Sequence, residues 1–420
     1  MHWLHLNSSV RLFDMAGTNA RNVPVFRSSA GWASDQGTLL LSSVDLLEAD
    51  HLVRKLLKLV DDLFGQELRV DCNLTGGFRY DPVSLLAIWM YGYLQGELSS
   101  RKLEEHCRYD VRFEFLARSC KPDHTTLSRF RTALGSKIDD LMVRFCFAAA
   151  ELGVLQRKTM VIDGTKMTAL RSQWSRARKK ADEIEDLEAE AVTMVSHGQY
   201  LVGYNVQAAA DADSTLIVGY VVTSQPSDSK LLEEVCQAVK HQSGELSKQA
   251  VCDKGYNSSA NALALAQAQV EGYLPPPRKK PPPFALNDSQ EMACMAGHIA
   301  SKHEWVDSKN GNKRYDLFRV SACAQCPFNS ECPGKGRQRE MKVLAVDPSD
   351  EKHKANQRCL TDDGKKLMKI RGQTIERAFA VIKGCFKLRK FKLRGRKKVA
   401  IEFGLAVLTY NLQVFMRLVA

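Results

Sequence analysis

Three carboxylates stand out by their surroundings. Asp163 closes the apolar run Thr159-Met160-Val161-Ile162, and Asp253 closes Ala250-Val251-Cys252. Each reads as the residue just past a short buried strand, Asp163 with Gly164 forming a turn. Glu376 is the single acid among 14 basic residues between Gly364 and Lys398. A lone acid on such a surface weakens phosphate binding unless it holds a cation. Strands that follow a helical crossover commonly pair in parallel, and sites form beyond their carboxyl ends. On that arrangement Asp163 and Asp253 would meet at one edge. A third carboxylate from a later helix would complete an oxygen-rich pocket for two divalent ions ~3.5–4 Å apart, which serve phosphoryl transfer. Hard oxygen donors suit magnesium or manganese rather than zinc. The competing readings are a turn role for each aspartate and a surface ion pair between Glu376 and Arg377 or a nearby lysine.

A second constellation is made of thiols. Cys323-Ala324-Gln325-Cys326 is a CxxC, Cys332 lies six residues on, and Cys294 lies upstream. Four thiolates would form a closed tetrahedral zinc site. His298, His303, His353 and Cys359 compete for the fourth place, and unmetallated reduced thiols are the plain alternative. The other eight of the 12 cysteines are scattered, as small core residues are.

The elements that would position these residues follow from pattern. Leu52, Leu56, Leu59 and Leu63 make a helical stripe. Asp81-Pro82 opens an apolar helix to about Leu94, and further helices are expected near 100–107 and 110–117. Beyond Lys121-Pro122, a helix carrying Arg129 and Arg131 would be either the second element of a helix-turn-helix or part of a plain bundle. From Lys158 the texture turns to strands at 159–162, 201–209, 216–222, 250–252 and 272–274, with helices at 228–241 and 258–269. Arg176 to Glu190 is a mixed-charge stretch that reads as an exposed helix. Pro275 to Pro283 is a stiff spacer into a polar, cysteine-bearing insert ending near Val346. A basic helix from Gln373 to Phe391 buries Ile375, Phe379, Ile382 and Phe386, while Glu376, Lys383 and Lys390 recur every seven residues on the adjacent face. The expected division is an N-terminal arm (1–40), a helical DNA-binding unit (41–157), a first core part (158–274), the linker and insert (275–346) and a second core part (347–420).

Charge and hydropathy narrow the partner. The 420 residues carry a formal net charge of +12, and the stretch from Gly364 to Lys398 alone accounts for +13. A concentrated basic surface favours a polyanion, nucleic acid or membrane. The apolar run from Val399 to Val419 could span a bilayer by length. Glu402, Asn411, Gln413 and Arg417 interrupt it, so a buried C-terminal helix is the better reading, with no membrane partner. The start of the chain lacks a secretory pattern, and the cysteines then read as reduced thiols in the cytosol.

Ordered motifs along nearly the whole chain resemble the bacterial insertion-sequence transposases of the DDE type. Gly77-Phe78-Arg79-Tyr80-Asp81-Pro82, Glu97 to Glu105 and Pro122 to Arg131 are similar to that family's N-terminal helical domain. Ile162-Asp163-Gly164-Thr165-Lys166 is similar to its first aspartate motif, Gly203-Tyr204-Asn205-Val206-Gln207 to its second strand, and Asp253-Lys254-Gly255-Tyr256 to its second aspartate motif. Arg371, Glu376, Phe379, Lys383, Phe391, Arg394-Gly395 and Asn411-Leu412 resemble its glutamate helix and the segment after that helix. Gly372 occupies the place where some related subfamilies carry the arginine.

The resemblance implies an α/β fold: a ribonuclease-H-like mixed sheet with an N-terminal all-α domain and a cysteine-containing insertion. It implies Mg²⁺ or Mn²⁺ held by Asp163, Asp253 and Glu376, DNA contacts from Arg371 and Lys383, and metal-dependent cleavage and strand transfer on double-stranded DNA, both element ends and target. A homo-oligomer on DNA, in the bacterial cytoplasm at the nucleoid, goes with it. The rival functions are a non-catalytic DNA-binding regulator derived from a transposase and a nuclease that only hydrolyses.

Overall fold

The computed structural model describes residues 46–70, 80–170, 190–196, 198–276, 284–286, 291–294, 296–307, 313–320, 323, 326–328, 339–344 and 350–419. The expected arm (1–40), most of the mixed-charge stretch, Pro277 to Pro283 and Cys332 lie outside the described residues.

Among the described residues six helices come first: α1 (Leu52–Val70), α2 (Pro82–Leu94), α3 (Ser100–Tyr109), α4 (Val111–Leu116), α5 (His124–Ala133) and α6 (Lys137–Glu151). Their starts are set by side chains. Asp81 accepts from Val83 N ahead of Pro82, Asp110 from Arg112 N, and Asp123 from Thr126 N at 2.7 Å; each satisfies one of the orphan donors of a first turn. Of the expected α1 stripe, Leu56, Leu59 and Leu63 are buried and Leu52 is exposed.

The sheet follows: β1 (Thr159–Thr168), β2 (Val192–Ser196), β3 (Gln199–Asp211), β4 (Ile217–Thr223), helix α7 (Leu232–Ser243), β5 (Gln249–Cys252), helix α8 (Ser259–Gln267) and β6 (Glu271–Tyr273). β1 is antiparallel to β3 and parallel to β5, β5 is parallel to β6, and β4 and β2 both pair antiparallel with β3, along different stretches of it. Three antiparallel strands continued by two parallel ones is the ribonuclease-H-like arrangement. Two expectations need correction. Asp163-Gly164 is no turn, because β1 continues to Thr168 against the long β3. The expected helix from Asp228 is broken: Asp228–Lys230 forms one 3₁₀ turn before α7.

The insert is β-rich, with a β7 (Phe284–Leu286) and β8 (Met292–Cys294) pair and a three-stranded sheet of β9 (Ser301–Asp307), β10 (Lys313–Val320) and β11 (Arg339–Leu344). The chain then returns through α9 (Glu351–Arg358), α10 (Asp362–Ala380) and α11 (Arg396–Leu418). The expected single basic helix to Phe391 is another correction. α10 begins at Asp362, capped by Thr361, and ends in a five-residue π turn, Val381–Cys385. Lys390 lies past the end of that turn, outside the helix, so the seven-residue alignment of Glu376, Lys383 and Lys390 does not reach it.

α11 is long and apolar enough to cross a membrane, yet 83% of its apolar window is buried inside the protein. It packs on β4, α2 and α6 and so joins the helical part and the sheet in one hydrophobic core. Two of its polar residues, both fully buried, have internal partners. Asn411 bonds both the amide and the carbonyl of Ile217 at 2.8 Å. Glu402 accepts from the amides of Lys392 and Leu393.

Candidate active site

The last parallel pair between β1 and β5 is Ile162 with Cys252. Asp163 and Asp253 are therefore the next residues of two adjacent strands. β1 continues past its aspartate, while at Asp253 the chain leaves the sheet for a 3₁₀ turn, Lys254–Tyr256. Glu376 comes from α10, which packs across β1, β3 and β5.

A guanidinium lies among the three carboxylates. Arg371 Nη1 is 3.0 Å from Asp163 Oδ2, and Nη2 is 3.2 Å from Glu376 Oε1 and 3.6 Å from Asp253 Oδ1. Side-chain exposure rises from 17% at Arg371 and 19% at Asp163 to 38% at Asp253 and 54% at Glu376, giving the cluster a floor and a rim. Burial pushes the Asp163 carboxyl up to about 6, against the pull of Arg371 and the Gly164 amide. Among the described residues no three acidic, histidine or cysteine side chains stand ready to grip an ion. At this site a cationic side chain holds the central place. The donors are all carboxylate oxygens and already surround a positive charge, so they suit a hard divalent cation.

The other expected site residues are dispersed. Lys383, in the π turn, is half-buried and donates to Thr165 Oγ1 and to the Lys166 carbonyl at 3.1 Å, close to Asp163 along β1. Burial lowers its ammonium pKa, and Arg389 adds to the effect. Lys390 is exposed and bridges Thr168 at the end of β1. Arg129 is exposed on α5. Arg131 corrects the expectation of a DNA contact: it is 5% exposed, and its guanidinium lies 4.2 Å over the Trp89 ring. A cation stacked inside the core cannot also reach a phosphate at the surface.

Of the cysteines, Cys294 and Cys323 share one small apolar cluster with Ala300 and Val320. The amide of Cys326 turns back to the Cys323 carbonyl at 3.4 Å.

Sequence reasoning missed a polar network behind the site. Asp228 Oδ1 accepts from Asn205 Nδ2 at 2.8 Å and Gln207 Nε2 at 2.9 Å. Tyr256 Oη donates to Gln207 Oε1. Asn205 and Gln207 are fully buried. The network thus ties β3 to the turn before α7 and to the turn that begins at Asp253. Gln207 pairs with Gly164, so strand alternation places it on the face opposite Asp163. Two amides at i and i+2 inside an otherwise apolar strand were the signal available in the sequence.

Residues 293–416 match the transposase DDE domain, a stretch that holds Glu376, Arg371, Lys383 and the four insert cysteines. Residues 42–133 match a second transposase domain, which covers α1 to α5. Together the two take in about half of the chain; Asp163 and Asp253 fall between them. No curated protein matches. Among solved structures, the chain is similar to a piggyBac transposase synaptic complex with hairpin DNA, at 13% identity and a TM-score of 0.27, over 90% of this chain and 81% of that one. The family works on DNA with divalent metal. With a transposase domain at each end and a mixed sheet between them, this chain belongs to the insertion-sequence DDE transposases.

Proposed function

We propose that Asp163, Asp253 and Glu376 are the metal-holding carboxylates of this transposase, and that Mg²⁺ or Mn²⁺ is the ion. The observation that carries this is the convergence of all three on one positive group, Arg371, from three separate segments of the chain. When bound, a pair of divalent ions would activate the attacking oxygen and stabilise the leaving one, for cleavage at element ends and for transfer of the freed 3′-hydroxyl to target DNA. Asp163 is the buried floor of the site and Glu376 its exposed rim, so the strand to be cut would approach from the Glu376 side. Lys390 and Arg129 offer charges to the phosphate backbone, and Lys383 braces β1 beside the site. The cysteines of the insert would hold a structural zinc. Action as a homo-oligomer and a cytoplasmic location belong to the same reading.

Asp253→Asn tests the assignment. It keeps size and hydrogen-bonding capacity but deletes a negative charge. DNA binding should persist while Mg²⁺-dependent cleavage of labelled element ends disappears. Cleavage near the unmodified rate would remove Asp253 from the site. Strand-transfer products from a pre-cut end separate a transposase from a nuclease that only hydrolyses.

A further inference from the structure

We infer that Arg371 is an internal counter-cation that holds the three carboxylates together before metal arrives, and that metal loading must displace it. The inference rests on the metal-site reading above and concerns how that site is kept without its ions. Three carboxylates drawn from β1, the end of β5 and α10 would repel one another, and Asp163, the most buried, would carry the largest desolvation cost. The Arg371 guanidinium meets all three, with two contacts at 3.0 and 3.2 Å and one at 3.6 Å. It is itself only 17% exposed. Its planar fork can serve two carboxylates with separate N–H groups, which an ammonium cannot do as well.

A cation of the protein and a cation from solution then compete for the same oxygens. Arg371 shares α10 with Glu376 and reaches that half-exposed carboxylate at 3.2 Å, so a DNA phosphate entering beside Glu376 offers the guanidinium another bidentate partner. Once the guanidinium turns to phosphate, the carboxylates are free for metal. DNA arrival and metal loading become linked, and the coupling is reciprocal. The consequence is economical: without DNA the site is charge-neutralised and poor at collecting the ions that would let it cut.

The test is Mn²⁺ affinity of the full-length, DNA-free protein, read by electron paramagnetic resonance of free Mn²⁺, with thermal unfolding measured in chelator. Arg371→Gln, which keeps hydrogen-bonding groups without charge, should bind Mn²⁺ about tenfold more tightly than the unmodified protein, in the usual range for coupled sites. Its unfolding temperature in chelator should fall, and added Mn²⁺ should raise it more than in the unmodified protein. Arg371→Lys, which keeps a charge, should fall between the two and serves if the Gln variant does not fold. Equal or weaker Mn²⁺ binding by both variants would overturn the inference. Asp253→Asn is the control for the underlying reading. If it binds Mn²⁺ as the unmodified protein does, the carboxylates are not the metal site, whatever Arg371 does.

Discussion

Lys383 reaches from the π turn after α10 to Thr165 and to the carbonyl of Lys166, two and three residues beyond Asp163 on β1. Two of its three donors are therefore committed to the strand that carries the first aspartate. On the proposed reading, the third would face an incoming phosphate.

Lys383→Ala should lower the affinity for DNA ends and make the slope of log affinity against log salt shallower by ~0.9, for one lost phosphate contact. It should also cost about 1–3 kcal/mol of stability, because charge-assisted hydrogen bonds are lost at a half-buried site. Lys366, by contrast, is exposed and pairs with Asp363 at 3.2 Å on the first turns of α10. Lys366→Ala should change the salt slope at most and leave end cleavage intact. Equal losses of cleavage in the two variants would show Lys383 to be one interchangeable charge among many.

The contrast between these lysines marks where the sequence stops being legible. The apolar runs before Asp163 and Asp253 are readable because buried strands need them, and the parallel pairing comes from the intervening helix α7. Gly164 to Thr168 is unreadable as strand: its residues are mostly polar and half-buried, and only the long partner β3 draws them into the ladder. Arg371 has a site role fixed by contacts from 208 residues away, which no local pattern encodes. Arg131 looks like a surface residue because a buried arginine needs a partner such as Trp89, visible only once α2 and α5 pack together. The helix stops with the π turn, so Lys390 falls outside a seven-residue alignment that the helical period alone suggests.

Gly164→Ala should disturb the network behind the site. A methyl group there would fall well inside van der Waals contact of the Gln207 amide. Overpacking of this kind costs about 1–3 kcal/mol, read as a lower urea midpoint at unchanged slope. Gln207→Ala removes the obstacle but leaves Tyr256 and Asp228 with lost partners. The double variant should be more stable than the sum of the two single losses. Strict additivity would show that the two side chains do not meet as described.

The insert should carry about one zinc per chain, held by Cys294, Cys323, Cys326 and Cys332 as thiolates. Among the described residues of the insert, Ala300, Val320 and Cys323 form a small buried cluster. A bound zinc would add a tie beside that cluster. Elemental analysis of protein purified without added metal gives the count, and Cys323→Ser should lower it and expose the insert to protease. Metal-free protein with a protease-resistant insert would make these cysteines ordinary reduced thiols.

Glu402 is fully buried, and a test of it probes the joint between the helices and the sheet. Both its carboxylate oxygens accept from the Lys392 amide, at 3.0 and 2.9 Å, and one also accepts from Leu393 at 2.9 Å. Its own carbonyl accepts from Tyr93 Oη at 3.2 Å. Glu402→Ala leaves two amides without a partner and should cost about 3 kcal/mol or more. Glu402→Gln retains one acceptor oxygen and should cost less. The two differ in pH dependence from the unmodified protein in a defined direction. Burial raises the Glu402 carboxyl above its ordinary value of 4.5, against the opposing pull of Arg131 and the two amides. The folded chain therefore binds this proton more tightly than the unfolded chain does. Its contribution to stability is present at pH below 4.5 and is lost as pH rises through the raised value. Gln does not titrate, so the stability of the unmodified protein relative to Glu402→Gln should fall as pH rises above 4.5. Urea midpoints of the pair across that range measure it. A gap that widens in favour of the unmodified protein with rising pH would mean that the amides and Arg131 outweigh burial, and that the charged form is the one the fold prefers.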